Sequence, residues 1–302
     1  MSILVVGSVA LDTVETPFGR VREALGGSAT YFATAASLYA PVRLVAVVGT
    51  DFPDEHVMFL RSRGIDLAGL QVQPGRTFRW AGRYSFDLNT AQTLDTQLNV
   101  FGTFHPVLPP AYADAQYVFL GNIDPELQYE VLRQVPHARL RAMDTMNYWI
   151  ESKREALTRT MSAVDVVTMN EAEARQFAGT SSVVAAARAI LALGARTLVV
   201  KKGEYGCVVF GDHTYFVTPA YPLEEVRDPT GAGDAFAGGF IGYLAHCDRI
   251  TDGAIRRAAV HGSVVASFTV EDFSLNRLRA VTREEVERRF EEFRGFVHFD
   301  GP

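Results

Sequence analysis

Short apolar, β-branched runs alternate with stretches of helical periodicity along most of this chain. "ILVVGSV", "VRLVAVVG", "AQYVFLGN", "LRAMDT", "VDVVTMN", "TLVVKKG" and "CVVFG" read as strands. "SATYFATAASLYA", "PDEHVMFLRSRG", "NEAEARQFAG" and "VVAAARAILALGA" read as helices, the first capped by Ser28 and the second closed by Gly64. Strands that are apolar at nearly every position have both faces covered, and parallel strands need long crossovers that helices supply. The rhythm therefore predicts an α/β sandwich with a central, mostly parallel sheet between two helical layers.

Residues 71–105 break the pattern. "TFRWAGRYSFDL" alternates apolar or aromatic residues with polar ones, and "TQLNVFGTF" follows. A period of two marks half-buried antiparallel strands. With part of 13–25, this segment is expected to form a small sheet projecting from the body. It is either a lid over the strand C-termini or a plain surface hairpin. No repeat, low-complexity tract or linker interrupts the sequence, so one domain over residues 1–302 is expected.

Bulk properties narrow the function classes. Cys207 and Cys247 show no metal or redox spacing, which points to a reducing, cytoplasmic setting. The opening "MSILVVGSVALD" lacks the charged start and cleavage site of a leader and reads as a buried strand. No apolar segment reaches the ~20 residues of a membrane span. A formal net charge of −6 argues against a nucleic-acid partner, which needs a basic face. An anionic ligand would have to find local positive groups.

The densest chemistry lies in "DPTGAGDAFAGG", Asp228 to Gly239. The apolar, small sequence beyond it suits a tightly packed helix. Gly231, Ala232 and Gly233 would then present free backbone N–H groups at a helix N-terminus, where the dipole also favours an anion. Asp234 would be a cap worth ~1 kcal/mol, or a base. A carboxylate inside an anion nest repels phosphate, but it suits a hydroxyl that attacks that phosphate. On spacing alone the two roles stand level. No G-x-x-x-x-G-K-[ST] occurs, no G-x-G-x-x-G follows the first strand, and no H-R-D and D-F-G pair is present.

"DPTGAGDAFAGGF" resembles the C-terminal signature D-[TP]-[TN]-G-A-G-D-x-F of the ribokinase-like, or pfkB, family of carbohydrate and nucleoside kinases. Four further stretches resemble that family in the right order. They are "GSVALD", "GGSATYFATAASLYA" (for G-G-x-x-x-N), "NEAEA" (for N-x-x-E) and "VVKKGEYGCVVF" (for V-T-x-G-x-x-G). The resemblance implies a ribokinase-like αβα sandwich with a small β-sheet lid. It implies Asp234 as catalytic base and Gly231, Ala232 and Gly233 as the anion hole. Asn170 and Glu173 would organise Mg²⁺ near the phosphates, Glu173 through water; otherwise Glu173 is a first-turn dipole residue. Lys201 (or Lys202), Gly203 and Gly206 would meet ATP, against a bland reading of a strand-end turn with solvated lysines. Asp228 matches a position near a monovalent cation such as K⁺. Asp12, Gly26 and Gly27 would hold the acceptor.

The acceptor side departs from the pattern. Ala10 and Tyr31 stand where the family's sugar kinases carry asparagines, and both changes remove hydroxyl-binding amides. An apolar residue 10 and "GGS" resemble adenosine-kinase-like members. Tyr31, Trp80, Tyr84 and Phe86 would either stack on a base or pack the lid against the body. The implied activity is ATP-dependent phosphorylation of a primary hydroxyl on a small sugar. An adenosine-like nucleoside kinase is the alternative, and a non-catalytic sugar or nucleotide sensor the second. The lid aromatics are also a candidate surface for a homodimer.

Overall fold

β1 (Ile3–Val6) is buried at all four positions and pairs in parallel with a strand on each side. Its side chains show how the body is layered. Ile3 and Val5 enter one apolar cluster and Leu4 and Val6 the other, as the two-residue strand period requires. The computed structural model describes residues 1–211 and 215–298. The remaining strands are β2 (Ala10–Thr16), β3 (Gly19–Gly26), β4 (Val42–Gly49), β5 (Asp66–Gln73), β6 (Phe78–Tyr84) and β7 (Ala91–Gln97). They continue with β8 (Tyr117–Leu120), β9 (Leu140–Asp144), β10 (Val166–Asn170), β11 (Thr197–Lys201), β12 (Cys207–Phe210) and β13 (Tyr215–Thr218).

Nine of these form one sheet in the order β13-β12-β11-β10-β9-β8-β1-β4-β5. From β5 to β11 all pairs are parallel; β12 and β13 add an antiparallel edge. The helices are α1 (Ser28–Ala36), α2 (Asp54–Ser62), α3 (Pro125–Gln134), α4 (Asn147–Ser152), α5 (Arg154–Met161) and α6 (Glu171–Ala178). They end with α7 (Val183–Leu191), α8 (Ala232–Cys247), α9 (Asp252–Thr269), α10 (Asn276–Ala280) and α11 (Arg283–Val297). α1, α2, α8 and α9 cover the Ile3 face, and α3 to α7 the Leu4 face. After β5 the chain returns to β1 and continues on its other side with β8. That switch opens a crevice at the strand C-termini, the usual ligand position in such sheets.

The other four strands form a separate sheet, β3-β2-β6-β7. β6 and β7 fall within 71–105 as the alternation predicts. β2 and β3, which include the expected 13–25 segment, supply the other half of this sheet, and residues 66–73 belong to the large sheet as β5. Two further expectations are corrected. "TQLNVFGTF" is not one strand: β7 stops at Gln97, Asn99 turns to φ 48°, and residues 99–103 form a 3₁₀ turn. The Asn99 side-chain amide donates to the Thr77 carbonyl at 2.9 Å, which anchors that turn. Ser28 is the first residue of α1 rather than its cap; Gly27 holds the cap position, and the Ser28 hydroxyl pairs with Ser8 instead.

Candidate active site

Three strand ends and one helix start meet at the crevice. Asp144 ends β9, Asn170 ends β10 and Lys201 ends β11, with Asn170 and Lys201 in register. The Lys201 ammonium donates to Asp144 Oδ2 at 2.5 Å. It also lies against the start of α8, because a Cβ added at Gly233 would sit 2.9 Å from Lys201 Nζ. Gly231 caps α8 at φ 76°, ψ 0°, the left-handed region that favours glycine. At the helix start, the N–H groups of Gly233 and Asp234 have no intrahelical acceptor, so they are free to meet an anion.

Asp234 stands in the first turn of α8. Burial, reinforced by the Asp144 charge and opposed by Lys201, lifts its carboxyl to about 7. Burial works against the Lys201 charge, but Asp144, Glu173 and Asp234 outweigh it and raise its pKa. Glu173 is also pushed up, first by burial and then by Asp144. It is more than a dipole residue. Glu173 Oε2 accepts from the Asn170 N–H at 2.7 Å, and Asn170 Oδ1 accepts from the Glu173 N–H at 2.8 Å. This reciprocal capping box fixes the start of α6.

Asp12 faces this cluster from the lid hairpin and is buried. Burial, with smaller contributions from Asp228 and Asp234, lifts it to about 7 against a hydrogen bond from the Gly27 backbone. A Cβ at Gly26 would lie 1.9 Å from Asp12 Oδ2, and Gly27 sits at φ 92° with Ser8 O 2.5 Å from where its Cβ would be. Both glycines are therefore required by close approach. Tyr31 is 2% exposed. A Cβ at Gly231 would be 2.4 Å from Tyr31 Cγ, Cδ1 and Cδ2, so Gly231 rests on the face of that ring. That contact takes one face of the ring away from any ligand.

The other aromatics divide. The Tyr84 hydroxyl meets Thr230 Oγ1 at 3.3 Å, joining the lid to the loop before α8. Trp80 lies over Gly82 on its own sheet and donates to Thr93 Oγ1 at 3.2 Å. Phe86 is 81% exposed and packs beside Phe18. At the turn after β11, Gly203 has φ 57° and Gly206 φ 84°; a Cβ at Gly203 would be 2.8 Å from Asn89 Oδ1 of the lid. Lys202 points to Glu171 at 3.5 Å rather than to the cluster.

Asp228 is buried, and its two oxygens accept from Thr230 N at 2.9 Å and Ser274 N at 3.0 Å. It staples two loops. Asp144 and Thr230 were not singled out in the sequence. The available signal for Asp144 was a lone acid closing an apolar strand, at the end where α/β sheets place ligands.

Among the described residues no three acidic, His or Cys side chains gather closely enough to hold a metal alone. The carboxyl groups of Asp144, Glu173 and Asp234 gather around a single lysine, Lys201. That donor set fits an Mg²⁺ ion held jointly with waters and phosphates, the habit of this ion. Among the described residues no helix is long and apolar enough to cross a membrane.

The sequence model of the family described as pfkB family carbohydrate kinase matches residues 2–279. A cytidine kinase of Thermococcus kodakarensis is 36% identical over 83% of this chain and 93% of its own length. A 2-dehydro-3-deoxygluconokinase of Thermoproteus tenax is 28% identical over 78% of each chain. Among solved structures, the nucleoside kinase of Methanocaldococcus jannaschii superposes with a TM-score of 0.78 at 20% identity, covering 96% of this chain and 98% of that one. A putative ribokinase II of E. coli, in complex with ATP and Mg²⁺, gives 0.78 at 18% identity, covering 96% and 99%. The chain belongs to the pfkB family, and its activity is the small-molecule phosphotransfer of that family.

Proposed function

We propose that this pfkB-family chain transfers the γ-phosphoryl group of ATP to the primary hydroxyl of a nucleoside. The observation that carries the acceptor class is the 36% identity to a cytidine kinase over most of both chains. The sequence leaned to a sugar on the breadth of the family's sugar kinases, and this likeness favours the nucleoside instead. Ala10 and Tyr31, which lack the hydroxyl-binding amides, agree with it.

Asp12 and the Gly26–Gly27 backbone hold one edge of the sugar ring, with its primary hydroxyl toward Asp234. The acceptor oxygen attacks the γ-phosphorus, the bond from that phosphorus to the bridging oxygen of ADP breaks, and the hydroxyl proton passes to Asp234. An alcohol resembles water, with a pKa of ~15.7, so it lies roughly 9 units above Asp234, or ~12 kcal/mol. Asp234 therefore orients the hydroxyl and accepts the proton late, rather than holding an alkoxide. The N–H groups at the start of α8 and the Lys201 ammonium stabilise the charge of the moving group. Asn170 and Glu173 would organise Mg²⁺, Glu173 through water, and the ion would supply neutralisation of phosphate charge. Gly203 and Gly206 let the backbone approach the nucleotide.

Acceptor-stimulated ADP release, measured across nucleosides and free sugars with and without Mg²⁺, tests this reading. Cytidine or another nucleoside is expected to exceed every sugar. A sugar or sugar acid above all nucleosides would restore the carbohydrate reading. No acceptor-dependent ADP from folded protein would leave a sensor.

A further inference from the structure

Helices α1 and α8 are packed backbone to backbone. A Cβ at Gly238 would meet the Phe32 carbonyl oxygen at 2.5 Å and Ala35 Cβ at 2.7 Å; one at Gly242 would meet Tyr39 at 2.8 Å and Ala36 Cα at 3.2 Å. All nine residues of α1 are buried. Gly231, Gly238 and Gly242 thus meet α1 and the turn after it in succession, at Tyr31, at Phe32 and Ala35, and at Ala36 and the following Tyr39. The two helices begin at opposite sides of the same reaction. Gly27 caps α1 at the acceptor loop, and Gly231 caps α8 at the anion hole. Interiors packed this closely transmit displacement rather than absorb it.

We infer that Tyr31 is a positioning residue for phosphoryl transfer, its ring being the floor on which Gly231 fixes the aim of the anion-hole N–H groups relative to the bound acceptor. The ring is buried. Gly231 has no side chain to hold its left-handed backbone, so the surface beneath it does so. The Tyr31 hydroxyl lies in the field of Asp228, Asp12 and Asp234. The floor is the aromatic face alone. This role needs only the kinase chemistry and holds for either acceptor class.

Tyr31→Ala and Tyr31→Phe test it, with Tyr31→Leu replacing alanine if that variant does not fold. A misplacement on the order of 1 Å costs about 100-fold in rate. Alanine or leucine is therefore expected to lower kcat by roughly 10- to 100-fold, with the acceptor KM changed by less than about threefold. Phenylalanine, which keeps the ring, should recover most of that loss. The acceptor is whichever one the wild-type protein turns over fastest. Acceptor KM raised more than about tenfold at constant kcat would overturn the inference and make the ring an acceptor contact. Phenylalanine as impaired as alanine would overturn it in favour of the hydroxyl. A second readout is independent of activity. Gly231→Ala should destabilise the wild-type background more than the Tyr31→Ala (or Leu) background, since the ring it strikes is then gone. Equal losses would show that no such contact exists, whatever the acceptor proves to be.

Discussion

The Lys201 ammonium and the Asp144 carboxylate meet at 2.5 Å across the intervening strand β10, with side chains 17% and 5% exposed. A pair this buried is held by mutual compensation. Removing one partner leaves the other as an uncompensated buried charge, a loss of about 3–5 kcal/mol, whereas removing both is far milder. Lys201→Met and Asp144→Asn should each lower stability strongly, and the double variant should regain a large part. Urea unfolding of the three proteins checks this; additive losses would mean that the pair is not coupled.

Asp234 gives the sharpest catalytic expectation. Asp234→Asn should retain ATP binding and lose 10²- to 10⁴-fold in kcat, the usual scale for a general base. Calorimetric titration with ATP and single-turnover rates separate the two effects. Near-normal turnover in the folded variant would reduce Asp234 to a first-turn carboxylate.

The same carboxyl sets a pH dependence. Burial, which disfavours the charge, lifts its pKa from the ordinary 3.8 to about 7. As a base it works only when ionised, so kcat/KM should rise as pH increases through about 7. Stability runs the opposite way. A carboxyl raised on folding contributes stability fully below its unfolded pKa and loses it as pH rises through the folded value. Asp12, also raised to about 7, acts in the same direction. Urea midpoints should therefore fall between pH 5 and 8, and fall less in Asp234→Asn. A midpoint that rises over this range would contradict the assignment.

Gly26 isolates the acceptor side. A Cβ there would lie 1.9 Å from Asp12 Oδ2, so Gly26→Ala must displace that carboxylate. Hydrogen bonds to a charged group contribute about 1.5–3 kcal/mol. Acceptor KM should rise by roughly 10- to 150-fold while the ATP KM stays near its original value. An equal rise in both would mean general disruption of the crevice.

The parallel strands were legible because a strand buried on both faces is apolar at nearly every step, as β1, β8 and β11 are. The glycine-rich start of α8 was legible because few structures need that composition. β5 escaped notice because it is an edge strand, with exposed and half-buried residues mixed along "DLAGLQVQ". Tyr31 could be named as unusual but not oriented, since its ring is placed by Gly231, two hundred residues further along the chain. Asp144 was hidden for the same reason: its partner Lys201 is brought beside it only by the strand order β9-β10-β11.

The lid yields the last expectation. The Tyr84 hydroxyl touches Thr230 Oγ1 at 3.3 Å, and burial lifts its pKa to about 12, so it stays a neutral hydrogen-bonding group across the working pH range. Thr230 lies beside Gly231, so the contact links the lid to the loop proposed to receive the phosphoryl group. Closure matters because water in the crevice competes with the acceptor hydroxyl. One neutral hydrogen bond contributes ~0.5–1.5 kcal/mol, which corresponds to a change of roughly 2- to 12-fold in the balance between closed and open lid. Tyr84→Phe should therefore leave the chemistry intact but raise acceptor-independent ATP hydrolysis by about that factor. The ratio of ADP formed to acceptor phosphorylated measures it directly. An unchanged ratio, with acceptor KM raised instead, would make Tyr84 an acceptor contact rather than a latch.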